Sequence, residues 1–195
     1  MSGIESRIGV KSLPFVNKPG INFIFKLIFE DGSGEILRES AIPVFIDAEI
    51  KDCDQRLGER IIEGINLEYH PNLDLIQRVL SEKNRLRKSA EHYVSNKIEN
   101  IKREIEKERE PKIENELDSL EKYERSERQR LQKFIEKYKD KQEKGEEMEI
   151  SIRRQKYRLD RLEERIEARR TELEKKLNII ALGPELIGCC IALPG

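Results

Sequence analysis

Apolar side chains fall at every second position from Ile21 through Phe23, Phe25 and Leu27 to Phe29, the period of a strand with one buried face. The run ends in Asp31-Gly32-Ser33-Gly34, residues suited to a hairpin turn, and Ile36 to Ile46 supplies the return strand. Within that return the stretch IPVFI is apolar on both faces, which predicts cover on two sides. Pro43 lacks a ladder donor and predicts a sheet edge or a bulge, so the two signals pull against each other.

Beyond the hairpin the period changes. Asp54 to Ile65 reads as a short helix through Leu57, Ile61, Ile62 and Ile65, weakened by Gly58 and Gly64, and a loop follows through Glu68, Tyr69, His70 and Pro71. From Asn72 the residues Leu73, Ile76, Leu80, Leu86, Ala90, Val94, Ile98, Ile101 and Ile105 trace one helical stripe, with a break expected near Ser81 and an end near Arg109. Pro111 disfavours helical geometry at Glu110, which predicts a kink or a fresh start with proline in the first turn.

Two further stripes follow. Ile113, Leu117, Leu120, Leu131, Phe134 and Tyr138 line one helix up to a polar stretch around Gly145, and Ile152, Leu159, Leu162, Ile166, Leu173 and Leu177 keep heptad-like spacing in the next. A turn at Gly145 makes them an antiparallel hairpin in which the numbers of opposed residues add to about 290, setting Leu131 by Leu159 and Leu117 by Leu173. After Asn178 the pair Gly183-Pro184 breaks the helix, and Leu186 to Leu193 reads as a buried strand laid against the N-terminal hairpin. The expected fold is therefore α+β: a small antiparallel β base formed by residues 1–110 and 179–195, and a long antiparallel coiled-coil arm formed by residues 111–178.

Composition sharpens this picture. Charged residues make up 39% of the 195 positions and hydrophobic ones 36%, whereas an ordinary domain is roughly 45–50% apolar and about 25% charged, so much of the chain must be solvated helix. Residues 71–178 hold 30 Lys or Arg against 26 Asp or Glu, net +4, interspersed in sign as in salt-bridged helices; residues 1–70 hold 8 against 12, net -4. A mean hydropathy of -0.73 and the lack of a long apolar run argue against a membrane span, and the opening MSGIESRIGVKS has no secretory apolar stretch. Cys53, Cys189 and Cys190 are odd in number and two are adjacent, which predicts buried free thiols and a cytoplasmic setting.

Candidate chemistry is sparse. His70 and His92 have no Cys or His at metal-ligand spacing, no serine lies in a nucleophile elbow, and DGSG lacks the lysine and the strand-to-helix setting of a phosphate loop. No enzyme activity, cofactor or metal is expected. The one suggestive pattern lies on the last helix. At about 100° per residue, Arg154, Arg158, Arg161, Arg165 and Arg169 share roughly 80° of arc, while Asp160, Glu163, Glu164 and Glu167 take the opposite flank. Spaced guanidinium groups could track nucleic-acid phosphates. They could equally be the flanking charges of the coiled coil, and Glu121, Glu124 and Glu127 on the facing helix favour that second reading. Arg85, Arg87 and Lys88 read as a solvated face, Tyr123, Phe134 and Tyr138 as core or edge packing, and Gln155, Arg170, Glu124 and Glu127 as polar residues in or beside the seam.

The order of elements resembles a known family. Pro19-Gly20 before the hairpin, the return AIPVFID, the charged coil, the helix RLDRLEERIEARRTELEKKL and a last strand ending in Leu193-Pro194 are similar to the C-terminal region of large prokaryotic Swi/Snf-type helicases, including those of phage-defence systems. That resemblance implies a non-catalytic accessory domain of a DNA-translocating ATPase, with the ATPase lobes of the same polypeptide upstream and DNA or a protein as the arm's partner. It also implies that the chain is an excised piece of a longer protein. The nucleotide-binding motifs of that family are not in this sequence, so no catalytic residue carries over. The alternative is a self-standing oligomeric coiled-coil scaffold, similar to prefoldin-type chaperones with helical hairpins on β bases.

Overall fold

The computed structural model describes residues 9–49, 52–64 and 72–195. The loop expected through Glu68, Tyr69, His70 and Pro71, and Ile65 at the end of the first helix, lie outside the described residues. In chain order the elements are β1 (Gly9–Leu13), β2 (Gly20–Asp31), β3 (Ile36–Asp47), β4 (Cys53–Asp54), α1 (Gln55–Glu63), α2 (Leu73–Ser81), α3 (Lys83–Glu143), α4 (Glu149–Leu177) and β5 (Ile179–Pro194). The fold is α+β, and the chain divides into two compact units: Asp31–Glu35 with Glu104–Ile180, and the remainder.

The sheet belongs to the first unit and runs in the order β1-β5-β2-β3-β4. β2 and β3 form the expected antiparallel hairpin, with Phe23 opposite Val44 and Phe25 opposite Ile42. Ile21, Phe23, Phe25, Leu27 and Phe29 are all buried, as period two requires. β5 enters the sheet beside β2 as expected of the last strand. The sheet is mixed where an antiparallel one was expected, because β1 pairs with β5 in parallel, Gly9 opposite Cys190 through Leu13 opposite Pro194. GVKSL carries too little alternation to announce itself as a strand. Gly183-Pro184 does not break a helix either; α4 already stops at Leu177, and the pair lies inside β5.

The opposed signals in IPVFI are both satisfied. β4 pairs only with Phe45 and Ile46, so β3 at Pro43 is a free edge where a missing N–H costs nothing. Phe45 joins Leu13, Val16, Ile61 and Ala192 in a buried cluster, while Ile42, Val44 and Ile46 are buried on the other face. α1 is held at both ends. The Asp54 carboxylate accepts from the Leu57 amide at 2.9 Å, and the Lys11 ammonium donates to the carbonyls of Ile61, Ile62 and Gly64 at 2.8, 3.1 and 3.2 Å. In the helices of this unit Val79, Leu86, Ala90 and Val94 are completely buried, and the chain breaks after Ser81.

Pro111 neither ends nor restarts a helix. α3 runs through it for 61 residues, although the ring removes one intrahelical bond, because Ile105 and Ile113 on either side are both buried and keep the same face turned inward. The three cysteines are free and half-buried, less covered than expected, and burial pushes the Cys53 and Cys190 thiols up from their ordinary value.

Candidate functional site

The five arginines of the candidate stripe lie in the second unit, on the hairpin of α3 and α4. Its turn follows from local sequence. Gly145 sits at φ 89°, a left-handed conformation that only glycine adopts without strain, and two bonds close the helix end: Gly145 N–H to Gln142 C=O at 3.0 Å and Glu146 N–H to Lys141 C=O at 3.1 Å. The Lys141 ammonium pairs with Glu146 at 3.2 Å across the same turn.

From that turn the helices zip together near the expected register. Leu131, Leu162 and Ile166 form the buried centre of the seam, with Leu120 and Leu159 packed against them. Two of the expected seam residues behave differently. Phe134 is 39% exposed, while its neighbour Ile135 is half-buried. Leu177 is 38% exposed at the end of α4, where the hairpin packing stops. Tyr123, read as core or edge packing, is nearly half exposed, an edge position. Gln155 is buried, and its Oε1 has no hydrogen-bond partner among the described residues.

Ion pairs fill both flanks. On one, Arg128 joins Glu124 and Glu163, both at 2.9 Å, and Arg170 reaches Glu124 at 3.6 Å. On the other, Arg169 joins Glu116 at 2.9 Å and Glu172 at 2.8 Å, and Arg165 Nη2 donates to the Tyr123 hydroxyl at 3.4 Å. These carboxylates raise the Arg128 guanidinium above its ordinary value, first through the hydrogen bond that Arg128 donates to Glu124, and Arg169 likewise through the one it donates to Glu172. The stripe is therefore not uniform. Arg169 and Arg165 reach partners on the facing helix, and Arg161 pairs with Glu164 at 2.8 Å on its own helix. Arg154 and Arg158 are exposed and have no partner among the described residues.

Charge is also segregated along the hairpin. Residues 128–161 around the turn hold 12 Lys or Arg against 7 Asp or Glu, net +5. Residues 104–127 and 162–180, at the other end, hold 10 against 15, net -5. Whole-chain balance near zero concealed this. Counting by spatial half, after folding the chain at Gly145, would have found it from the sequence. The turn half also exposes Ile150 (85%) and Tyr157 (62%).

Elsewhere Arg85 pairs with Glu82 and Arg87 with Glu91, as on a solvated helix face. Among the described residues no group of three or more His, Cys, Asp or Glu is arranged to hold a metal ion, and no helix is long and apolar enough to cross a membrane. No family model, curated protein or solved structure matches the chain.

Proposed function

We propose that this chain is a non-catalytic accessory domain whose helical hairpin contacts nucleic acid through the half nearest its turn. One observation carries the reading: Arg154 and Arg158 stay exposed, and unpaired among the described residues, on a helix whose other stripe arginines are engaged, in a half of net charge +5. An unpaired guanidinium retains its full capacity for bidentate phosphate contacts, whereas one already held by a carboxylate must first give that bond up. The resemblance to the tail of Swi/Snf-type helicases supplies the setting, a DNA-translocating ATPase whose motor lies in the same polypeptide.

The test is charge reversal. Arg154→Glu with Arg158→Glu in the full chain abolishes salt-sensitive binding of a DNA fragment, measured by fluorescence anisotropy, and leaves helicity by circular dichroism unchanged. Binding that survives the double reversal removes the basis for this reading.

A second reading, a self-standing oligomeric scaffold with prefoldin-like hairpins, draws on the charge segregation. Two hairpins lying side by side in opposite directions set +5 against -5. Light scattering coupled to size exclusion separates the two: a dimer or larger assembly that dissociates with salt and ignores DNA favours the scaffold.

A further inference from the structure

The flank that carries Arg154 and Arg158 also carries an aromatic pair. The rings of Phe134 and Tyr138 stack with centroids 6.3 Å apart and planes 23° apart, and Phe134 is 39% exposed. Which flank this is follows from two contacts, Arg169 with Glu116 and Arg165 with Tyr123. At about 100° per residue, Phe134, Lys137 and Lys141 lie on the same side of α3 as Glu116 and Tyr123, and Arg154 and Arg158 on the same side of α4 as Arg165 and Arg169. With opposed residues adding to about 290, Phe134 stands level with the stretch between Arg154 and Arg158. Those two arginines are one helical turn, ~6 Å, apart. Glu127, on this side of α3, is already paired with Arg130, and Glu146 in the turn with Lys141. Lys137, like Arg154 and Arg158, has no partner among the described residues.

Each part has a chemical consequence. Free cations one turn apart suit successive phosphates of an extended strand. An exposed ring between them is a face on which a base can stack, and only a strand whose bases are not already paired and stacked presents that face. A duplex would use the arginines and leave the ring idle, and so would an acidic peptide. We infer that Phe134 and Tyr138, flanked by Arg154 and Arg158, form a stacking platform for single-stranded nucleic acid. The inference rests on the reading of the hairpin as a nucleic-acid contact.

The experiment is anisotropy on the full chain with labelled oligothymidine and with a duplex of matching length, at low and moderate salt, for the wild type, Phe134→Leu and Phe134→Tyr. Leucine keeps apolar cover of the helix but removes the stacking face; tyrosine keeps both. The expected result is tighter binding of the single strand, weakened about 5- to 100-fold by F134L and retained by F134Y, with duplex binding unaffected by either. Equal binding of single strand and duplex, with F134L silent, overturns the platform while leaving the arginine contacts standing. Polyglutamate that displaces the oligonucleotide as effectively as unlabelled oligothymidine overturns it in favour of an acidic protein partner. No binding of either nucleic acid by the wild type overturns both this inference and the reading beneath it.

Discussion

Arg109 Nη2 donates to Asp31 Oδ2 at 3.0 Å, and the Asp31 side chain is completely buried. The carboxylate is not left to the arginine alone. Its Oδ1 accepts from the Ser33 amide at 2.9 Å, the Ser33 hydroxyl at 2.5 Å and the Glu35 amide at 3.1 Å, so the turn Asp31–Glu35 closes around it. Burial works to raise the Asp31 carboxyl, but these hydrogen bonds and the Arg109 charge outweigh it and hold the group below its ordinary value. Arg109 Nε, by contrast, is buried without a partner among the described residues. Removing the carboxylate strands the guanidinium, whereas removing the guanidinium leaves the carboxylate three donors. Asp31→Ala is therefore expected to cost about 2–4 kcal/mol in chemical denaturation, and Arg109→Leu less. Equal costs would show that the ion pair outweighs the turn hydrogen bonds.

The same carboxylate sets a pH dependence. A group whose folded value is lowered stabilises the fold above its unfolded value, and that contribution disappears as the pH falls through the lowered folded value. The stability difference between wild type and Asp31→Asn is thus expected to be full at neutral pH and to shrink progressively below about pH 4. Denaturation midpoints of the two proteins across that range check it. A gap that widens on acidification would mean that the sign is reversed.

Gly32 meets a different constraint. Its N–H donates to the Lys175 carbonyl at 3.0 Å, and a Cβ built on Gly32 would lie 2.7 Å from that same oxygen. Backbone cannot step aside as a flexible side chain can, so Gly32→Ala is expected to destabilise by about 1–3 kcal/mol. An unchanged melting temperature would show that the turn can shift without loss.

Pro111 offers a gain. It sits exposed inside α3, where its ring removes one backbone bond and crowds the preceding turn. Pro111→Ala restores the donor and is expected to raise stability by about 1–3 kcal/mol, with slightly higher helicity by circular dichroism. A neutral or destabilising result would indicate that the proline bends the helix to a curvature the packing needs.

Much of this was legible along the chain. Period-two spacing from Ile21 to Phe29 located β2 and its buried face, and the glycine at 145 with apolar stripes on either side located the hairpin and its register. What was hidden has physical causes. Pro111 is a strong local signal that Ile105 and Ile113 override through packing, a tertiary effect that propensity does not contain. Phe134 and Ile135 are adjacent apolar residues only about 100° apart, so spacing alone does not decide which enters the seam. β1 is five residues long and pairs in parallel with the far end of the chain. The arginine stripe was visible as a stripe, and the i,i+3 carboxylates of Arg161 and Arg169 could be read from spacing, whereas the contacts of Arg169 with Glu116 and of Arg165 with Tyr123 exist only once the two helices meet.

Gln155 shows how a seam can trade stability for order. It is buried on a helix whose other buried side chains are Leu162, Ile166 and Leu173, and its Oε1 accepts no hydrogen bond among the described residues. An unpaired buried amide oxygen costs free energy, so Gln155→Leu is expected to stabilise the hairpin by about 1–2 kcal/mol. The amide also makes every shifted or intermolecular pairing pay the same penalty at a new place, whereas leucine is accepted by any apolar groove. The variant is accordingly expected to melt higher and to populate dimers or larger species at raised concentration. Light scattering across a concentration series decides between the two effects: a stabilised variant that remains in the wild-type state of assembly would show that Gln155 plays no part in choosing the pairing.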